Sequence, residues 1–386
     1  MLYRHEQSVL GFGCMRFPRK GNGFDMDEVE KEIRFAHENG VNYFDTAYIY
    51  PGSEAALGQV VDKLQIRKDI KIATKLPHYM MKDTAEMEKR FREQLTRLKT
   101  DYVDNYLMHM LPDPDIWKVL LDRGVLNWVA DKKASGQIRN VGFSYHGSSG
   151  VFQDLLHAHD WDFCQIQYNY MDENAQAGRS GLKEAASMGI PVIIMEPLRG
   201  GKLAKLPPDA SALLKKAHPD WSDAEWSFRW LYDQPEVTTV LSGMNSMEML
   251  EENIRIAAQT EAHSLTEADH KALSEAKDII QKSILVPCTG CSYCMPCPAG
   301  VDIPGCFRFY NSTKIDGYAN AFREYFMCTA MKTKPAYASL CRQCGKCETH
   351  CPQHIQIRQE LKRVKRKFDN PIFHIGRFFA NRLGKK

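Results

Sequence analysis

The stretch DEVEKEIRFAHENGVNYFD, residues 27–45, contains one copy of the pattern that decides the fold. Its first part places Val29 and Ile33 one helical turn apart, which is typical of an α-helix with one buried face. Gly40 follows as a C-terminal stop signal, and a short apolar run then ends at Asp45. The stretch therefore predicts a helix that leads into a buried β-strand.

The same alternation of short apolar runs and longer amphipathic segments extends over the first two thirds of the chain. The predicted strands are Val9 to Gly13, Asn42 to Asp45, Ile70 to Lys75, Val103 to Met108, Asn140 to Phe143, Phe163 to Ile166, Pro191 to Met195 and Val240 to Ser242. Eight strands, each followed by a helix, predict an α/β fold with a closed (β/α)8 TIM barrel, to which we assign residues 1–280. An open doubly wound sheet is the alternative, but no G-x-G-x-x-G fingerprint follows any strand.

Four titratable side chains lie near the carboxyl ends of three successive predicted strands. Asp45 ends the second strand with Tyr50 just beyond it, Lys75 ends the third, and His109 follows the fourth. Each one alone has a structural interpretation, such as a helix cap or a core histidine. Because the carboxyl ends of barrel strands share one rim, the four together predict a proton-transfer site.

Eight of the twelve cysteines lie in two short runs near the C-terminus. The second run follows the C-x2-C-x2-C-x3-C-P pattern of bacterial ferredoxins, and the first is one residue shorter before its last cysteine. The runs are Cys288, Cys291, Cys294 and Cys297, and then Cys341, Cys344, Cys347 and Cys351. This spacing predicts two [4Fe-4S] clusters in a ferredoxin-like domain, to which we assign residues 281–365.

In the ferredoxin scheme the last cysteine of each run binds the other cluster. One cluster would have Cys351 as its fourth ligand, and the other would have Cys297, with Cys306 as a substitute because of the shortened spacer. Structural zinc is an alternative, but it needs neither a third cysteine two residues on nor the proline after the fourth. Disulfides are disfavoured, since Met1 to Glu6 contains no apolar core of a signal peptide. We therefore expect a cytoplasmic protein.

Composition excludes some classes of function. Lysine and arginine number 51 against 48 aspartates and glutamates, a balance that predicts no nucleic-acid partner. No apolar stretch reaches the length of a membrane-spanning helix. The tail, residues 366–386, is basic and amphipathic, so it could lie on an anionic membrane surface, dock an acidic redox partner or pack on its own domain.

The motifs around the predicted proton-transfer site resemble those of the aldo/keto reductases. Tyr43 to Tyr50, followed by Ser53-Glu54 and Leu57-Gly58, is similar to the first signature of that family, and Ala73-Thr74-Lys75 and Asp104 to His109 are similar to the next two. The whole chain resembles the bacterial branch that carries a C-terminal ferredoxin-type dicluster domain.

The resemblance implies a role for each member of the tetrad. Tyr50 would be the general acid for a small organic carbonyl, and Lys75 would stabilise the tyrosinate and so lower the pKa of that tyrosine from about 10 toward the working range. Asp45 would pair with Lys75, and His109 would orient the carbonyl. The enzyme would then be an oxidoreductase acting on a small-molecule substrate.

The resemblance also implies residues that bind a nicotinamide cofactor, NADH or NADPH. Ser144 and Gln165 match positions that contact the carboxamide. The loop after the last strand resembles the family's phosphate-binding segment, with candidate residues Gly243, Asn245, Glu252 and Asn253. Gly243 and Met249 stand where lysine and arginine often bind the 2′-phosphate, so we expect NADH to bind at least as well as NADPH, or no nicotinamide to bind.

These features predict an iron–sulfur oxidoreductase in which two clusters relay single electrons, with a ferredoxin or flavoprotein as redox partner. One alternative is an NAD(P)H-dependent carbonyl reductase whose clusters are structural or serve a partner. Another is a non-enzymatic electron carrier with a scaffold barrel, which the complete tetrad argues against.

Overall fold

The computed structural model describes residues 3–147, 151–288, 294–314, 317–330, 335–351 and 353–383, with side chains up to Arg377. The chain separates into two compact units. The first consists of Met1–Lys205 and Asp220–His270, and the second of Leu206–Pro219 and Lys271–Lys386. Within the described ranges, no helix is both long and apolar enough to cross a membrane.

The first unit is built on a closed barrel of parallel strands. The strands are β1 (Leu10–Gly13), β2 (Tyr43–Asp45), β3 (Lys71–Leu76), β4 (Val103–Leu111), β5 (Ile138–Tyr145), β6 (Phe163–Gln167), β7 (Val192–Met195) and β8 (Val237–Ser242). Each strand pairs with its neighbours in chain order, and β8 pairs with β1 to close the ring. The predicted (β/α)8 barrel and all eight predicted strands are confirmed, whereas the open doubly wound sheet is wrong.

The helices of the first unit cover the barrel or follow its strands. They are α1 (Met26–Glu38), α2 (Ser53–Leu64), α3 (Thr84–Leu98), α4 (Pro114–Asp122), α5 (Val125–Ala134), α6 (Phe152–Leu156), α7 (Gly178–Ser187), α9 (Asp223–Tyr232) and α10 (Met247–Gln259), while α8 (Pro208–Ala217) belongs to the second unit. The predicted stop after α1 is present, since Gly40 has a φ of 85°. That conformation costs glycine little, which explains the residue type.

The register of the strands brings the predicted site together. Asp45 lies opposite Ala73 on the neighbouring strand, so Lys75 projects from two residues further along β3. Side chains two residues apart on a strand point to the same face. The barrel therefore directs Asp45 and Lys75 toward the same interior space at its carboxyl end.

One carboxylate of the family signature supports the fold. Glu54 is buried and accepts hydrogen bonds from Thr74 Oγ1 at 2.7 Å, Gln94 Nε2 at 2.8 Å and Arg97 at 3.1 Å. These donors lie on β3 and α3, so Glu54 ties both elements to the first turn of α2. A Cβ at Gly58 would lie 2.3 Å from the Arg97 carbonyl oxygen, which shows how closely α2 and α3 approach.

The described residues of the second unit form helices and loops. They comprise α8, most of α11 (Glu267–Ser283), α12 (Ile303–Ser312), α13 (Gly317–Tyr325), a π-helical turn (Phe326–Ala330), a 3₁₀ turn (Ala338–Leu340), α14 (Ile357–Phe368) and α15 (Pro371–Leu383). The hydroxyl of Tyr325 donates to Asp369 at 2.7 Å and accepts from the Ala338 amide at 2.8 Å. This buried network joins α13, the segment before the second cysteine run, and the end of α14.

Candidate active site and cluster ligands

A buried ion pair forms the centre of the candidate active site. Lys75 Nζ lies 2.6 Å from Asp45 Oδ1 and donates to the Thr46 carbonyl oxygen at 2.8 Å. The side chains of Lys75 and Asp45 are only 1% and 5% exposed. Burial lowers the pKa of Lys75, but Asp45 and Tyr50 raise it by more, so the lysine stays charged at neutral pH.

Tyr50 lies beside this pair, in the loop between β2 and α2. The Lys75 ammonium is 5.1 Å from the centroid of the Tyr50 ring, and the tyrosine is only partly buried. Lys75 lowers the pKa of Tyr50, but burial and the Asp45 carboxylate together raise it above the ordinary value of 10.0. The sign of the lysine effect is as expected, whereas the expected net lowering is wrong because desolvation and Asp45 outweigh it. Tyr50 therefore carries its proton at neutral pH.

His109 completes the tetrad. It was expected after the fourth strand but lies within the last residues of β4, where the pairing with β5 shifts between Met108 and Leu111. The rings of His109 and Tyr50 meet edge to face, with centroids 6.1 Å apart and planes at 86°. Burial, followed by the charge of Lys75, lowers the pKa of His109 to about 2, so its imidazole is neutral.

Two further histidines line the same region, and the sequence did not identify them as polar site residues. His78 is buried and interacts with the backbone of His109 and Met110, and burial lowers its pKa to about 4. His146 interacts with Gln176, and burial lowers its pKa as well. Their position in the sequence could have identified them, because the two histidines follow the carboxyl ends of β3 and β5.

The residues expected to contact the nicotinamide are adjacent. Gln165 on β6 lies directly opposite Ser144 on β5, and both are buried. The Ser144 hydroxyl oxygen accepts from the Met110 amide at 2.8 Å, and its own O–H has no acceptor among the residues that the structure describes. Gln165 Nε2 donates to Met195 Sδ at 3.5 Å, while its Oε1 has no hydrogen-bond partner in the described part of the chain. A buried amide oxygen and a neighbouring hydroxyl hydrogen, both without a partner in the described ranges, suit a carboxamide.

The candidate phosphate-binding residues after β8 differ in their exposure and contacts. Gly243 and Asn245 are exposed, whereas Asn253 on α10 is buried and donates to Ser242 Oγ at 3.1 Å, a bond that ties α10 to the strand. Glu252 is partly exposed on the same helix. The structure therefore gives Asn253 a structural contact and leaves the other three accessible.

The described cysteines of the two runs form no disulfide bonds, and Cys291 lies outside the described residues. Burial raises the pKa of Cys347 to about 11, and the neighbours that contribute further include Cys341 and Cys297. Cys341 Sγ also accepts hydrogen bonds from the backbone and side-chain nitrogens of Gln343 at 3.4 and 3.3 Å. Cys297 is thus close to the second run, as the ferredoxin scheme requires.

Cys306 has a different environment. It is completely buried in the apolar core of the second unit, on α12, where its thiol lies 3.9 Å from the Ala336 carbonyl oxygen. The described thiols of the two runs, by contrast, are only partly buried or exposed. The donor set of the two runs suits iron–sulfur ligation.

Comparison with known families decides the class of the chain. The aldo/keto reductase family matches residues 9–278, and a 4Fe-4S dicluster domain matches residues 287–356. The chain belongs to the aldo/keto reductase family. It is therefore an oxidoreductase with a 4Fe-4S dicluster domain after its barrel.

Relatives of this aldo/keto reductase span most of the barrel. The Bacillus subtilis oxidoreductase YqkF is 27% identical over 309 residues, covering 72% of this chain and 95% of the relative. An L-galactose dehydrogenase from Arabidopsis thaliana is 28% identical over 295 residues, covering 71% and 91%. The solved aldo-keto reductase from Klebsiella pneumoniae in complex with NADPH has a TM-score of 0.58 at 22% identity, covering 69% and 90%, a likeness that shows the fold.

The C-terminal tail of the reductase contains the helix α15. Asn370 Oδ1 accepts from the Phe373 amide at 3.0 Å and so caps α15. Phe373 is buried against Tyr325 and Phe326, whereas Ile372 and Ile375 are 70% and 58% exposed. One face of α15 therefore packs on its own domain.

Proposed function

We propose that this aldo/keto reductase reduces a small organic carbonyl with Tyr50 as general acid, and that two [4Fe-4S] clusters relay single electrons. The observation that carries the proposal is the arrangement of the buried Lys75–Asp45 pair, the protonated Tyr50 and the neutral His109. Acids, bases and charges with perturbed pKa values cluster where a reaction needs them. Reduction adds two electrons and two protons, one proton to the carbonyl carbon and one to its oxygen, and on the cluster route the proton on carbon comes from the solvent.

Each residue of the tetrad has a distinct task in this proposal. The Tyr50 hydroxyl donates its proton to the carbonyl oxygen as negative charge develops there. The Lys75 ammonium stabilises the resulting tyrosinate, and Asp45 holds the lysine in place and charged. Neutral His109 can donate a hydrogen bond to the same oxygen without adding a competing acid.

Ser144 and Gln165 are the residues that would hold a nicotinamide. The unsatisfied Oε1 of Gln165 can accept from a carboxamide N–H, and the Ser144 hydroxyl can donate to the carboxamide oxygen. When bound, a nicotinamide supplies hydride chemistry. The NADPH complex of the Klebsiella pneumoniae relative supports this part of the proposal.

The cysteine runs would hold the clusters, with Cys297 as a ligand of the cluster bound by the second run. When present, each cluster supplies one-electron chemistry. Two clusters together match the two electrons of carbonyl reduction, whereas hydride moves both electrons at once. For this reason we propose a ferredoxin or flavoprotein as partner, and a dicluster domain over residues 281–365 that serves as its electron-transfer site.

A second candidate function is NAD(P)H-dependent carbonyl reduction with clusters that are structural or face a partner. The pairing of Gln165 with Ser144 favours it, because these residues are suited to a nicotinamide whether or not the clusters take part.

Anaerobic titration of the purified protein with NADH, NADPH and a reduced ferredoxin, followed by cluster absorbance, tests the proposal. We expect reduced ferredoxin to bleach the clusters and the reduced protein to turn over a carbonyl substrate. Turnover with NADH or NADPH, with clusters that never change redox state, would support the second candidate. Colourless protein with stoichiometric zinc after anaerobic reconstitution would overturn both.

A further inference from the structure

Arg16, from the loop after the first strand of the barrel, lies beside the loop after the last strand, which contains the candidate phosphate-binding residues. Arg16 is in the short turn after β1 (Cys14–Arg16), and the stem of its side chain lies beside Gly243, the residue after β8. A Cβ on Gly243 would lie 3.2 Å from Arg16 Cδ and 3.5 Å from its Cβ and Cγ. Arg16 belongs to the loop after β1, so a search of the sequence for cations in the loop after β8 does not find it.

Barrel closure explains how Arg16 reaches this point. Ser242 at the end of β8 pairs with Phe12 on β1, so the loops after these strands are neighbours. Arg16 also acts on Glu196, at the end of β7. Burial and Asp172 raise the pKa of Glu196, and Arg16 is the first of three cations that oppose them. The Arg16 guanidinium therefore lies where the loops after β7, β8 and β1 meet.

Two other arginines near these loops are already engaged. Arg199 Nε lies 3.0 Å from Asp172, and Arg255 lies 2.6 Å from Glu225 and also donates to Gln259. Arg16 is exposed, and its guanidinium has no hydrogen bond or ion pair to any residue that the structure describes. It is thus able to bind an anion without breaking an existing pair.

The glycine beside Arg16 is explained by space. Its backbone does not have a positive φ, so the conformation does not demand glycine. A Cβ at position 243 would make a tight contact with the Arg16 stem and would require that side chain to shift. Gly243 and Arg16 therefore form a complementary pair, in which the loss of a side chain in one loop makes room for a cation from another.

We propose that Arg16 binds a phosphate of the nicotinamide nucleotide, supplying from the loop after β1 the cation that Gly243 lacks. This inference rests on the proposed nucleotide binding at Ser144 and Gln165. A guanidinium suits the task because its planar donors can bind two phosphate oxygens at once. The pyrophosphate is common to NADH and NADPH, whereas the 2′-phosphate occurs only in NADPH.

Direct binding titrations of NADH and NADPH to the cluster-containing protein test the inference without depending on turnover. We expect Arg16→Met to weaken binding by about tenfold, the lower end of the range for a hydrogen bond to a charged group. Equal loss for both nucleotides would identify the pyrophosphate, and a loss confined to NADPH the 2′-phosphate. Arg19→Met, which removes an exposed arginine over Phe24, is the matched control and should leave both affinities unchanged.

A second variant distinguishes the loss of a phosphate contact from a change in folding. In Arg16→Ala with Gly243→Lys, the space that the arginine stem leaves beyond its Cβ accepts a lysine from the loop after β8, and we expect the lost affinity to return. Unchanged affinity in Arg16→Met, with wild-type protein that binds nucleotide, would overturn this inference alone. Wild-type protein that binds neither nucleotide would overturn the inference together with the proposed nicotinamide site.

Discussion

Lys75 and Asp45 form an ion pair of 2.6 Å in which both side chains are almost completely removed from solvent. The second carboxylate oxygen of Asp45 is also buried and has no hydrogen-bond partner among the described residues. Such a pair contributes little net stability, but removal of one partner leaves an uncompensated buried charge.

Asp45→Asn should therefore destabilise the barrel by about 3 to 5 kcal/mol, because the Lys75 ammonium loses its counter-charge. All six tryptophans lie between residues 117 and 230, so their fluorescence during anaerobic urea unfolding reports the barrel. The double variant Asp45→Asn with Lys75→Met removes both charges and should recover part of the loss. Equal destabilisation of the single and double variants would contradict a charge effect.

Tyr50→Phe should lower turnover by about 10²- to 10⁴-fold, since the substrate oxygen loses its proton donor. Iron content, tryptophan fluorescence and nucleotide affinity should be unchanged, because the hydroxyl is not part of the core. Lys75→Met should also impair turnover, as the tyrosinate loses its cation. Wild-type rates in Tyr50→Phe would move the proton transfer to another residue.

At neutral pH and above, kcat/KM should show only one pH-dependent decrease. Tyr50 must be protonated to act, and its pKa lies above 10.0, so kcat/KM should stay level at neutral pH and fall only as the tyrosine ionises. His109, with a pKa of about 2, and His78, with a pKa of about 4, are neutral throughout this range. A loss of activity centred between about pH 6 and 7 would show that a histidine titrates instead.

The sequence predicted the strands better than the details at their ends. Apolar runs locate strands because buried parallel strands need them, and all eight were found. The point at which a strand ends, however, depends on the neighbouring strands with which it pairs. β4 continues past Met108 because β5 pairs with it as far as Leu111. The sequence of β4 alone does not indicate this pairing.

The proton-transfer site was predictable because its members follow successive strands. Arg16 was not, since its relationship to Gly243 depends on barrel closure between the first and last strands. The net pKa of Tyr50 was also beyond the sequence, because desolvation depends on the packing around the ring. Properties set by neighbours distant in the chain require the folded structure.

Cys297→Ser and Cys306→Ser should separate the two candidates for the last ligand of the first run. Cys297 is near Cys347, whereas Cys306 is buried among apolar side chains. We therefore expect Cys297→Ser to lower the iron and sulfide content or to alter the electron paramagnetic resonance signal of one cluster. Cys306→Ser should retain both clusters. The reverse pattern would assign Cys306 as the ligand.

Met249→Arg should shift the nucleotide preference toward NADPH. Met249 is 48% exposed in the first turn of α10, where a longer cationic side chain has room to extend toward a 2′-phosphate. A new charge-assisted contact is worth about 1.5 to 3 kcal/mol, or roughly ten- to a hundredfold in affinity for NADPH, with little change for NADH. Met188→Arg, at a methionine of similar exposure after α7, is the matched control. An equal gain for NADH would show a general electrostatic attraction, and no gain would place the 2′-phosphate away from α10.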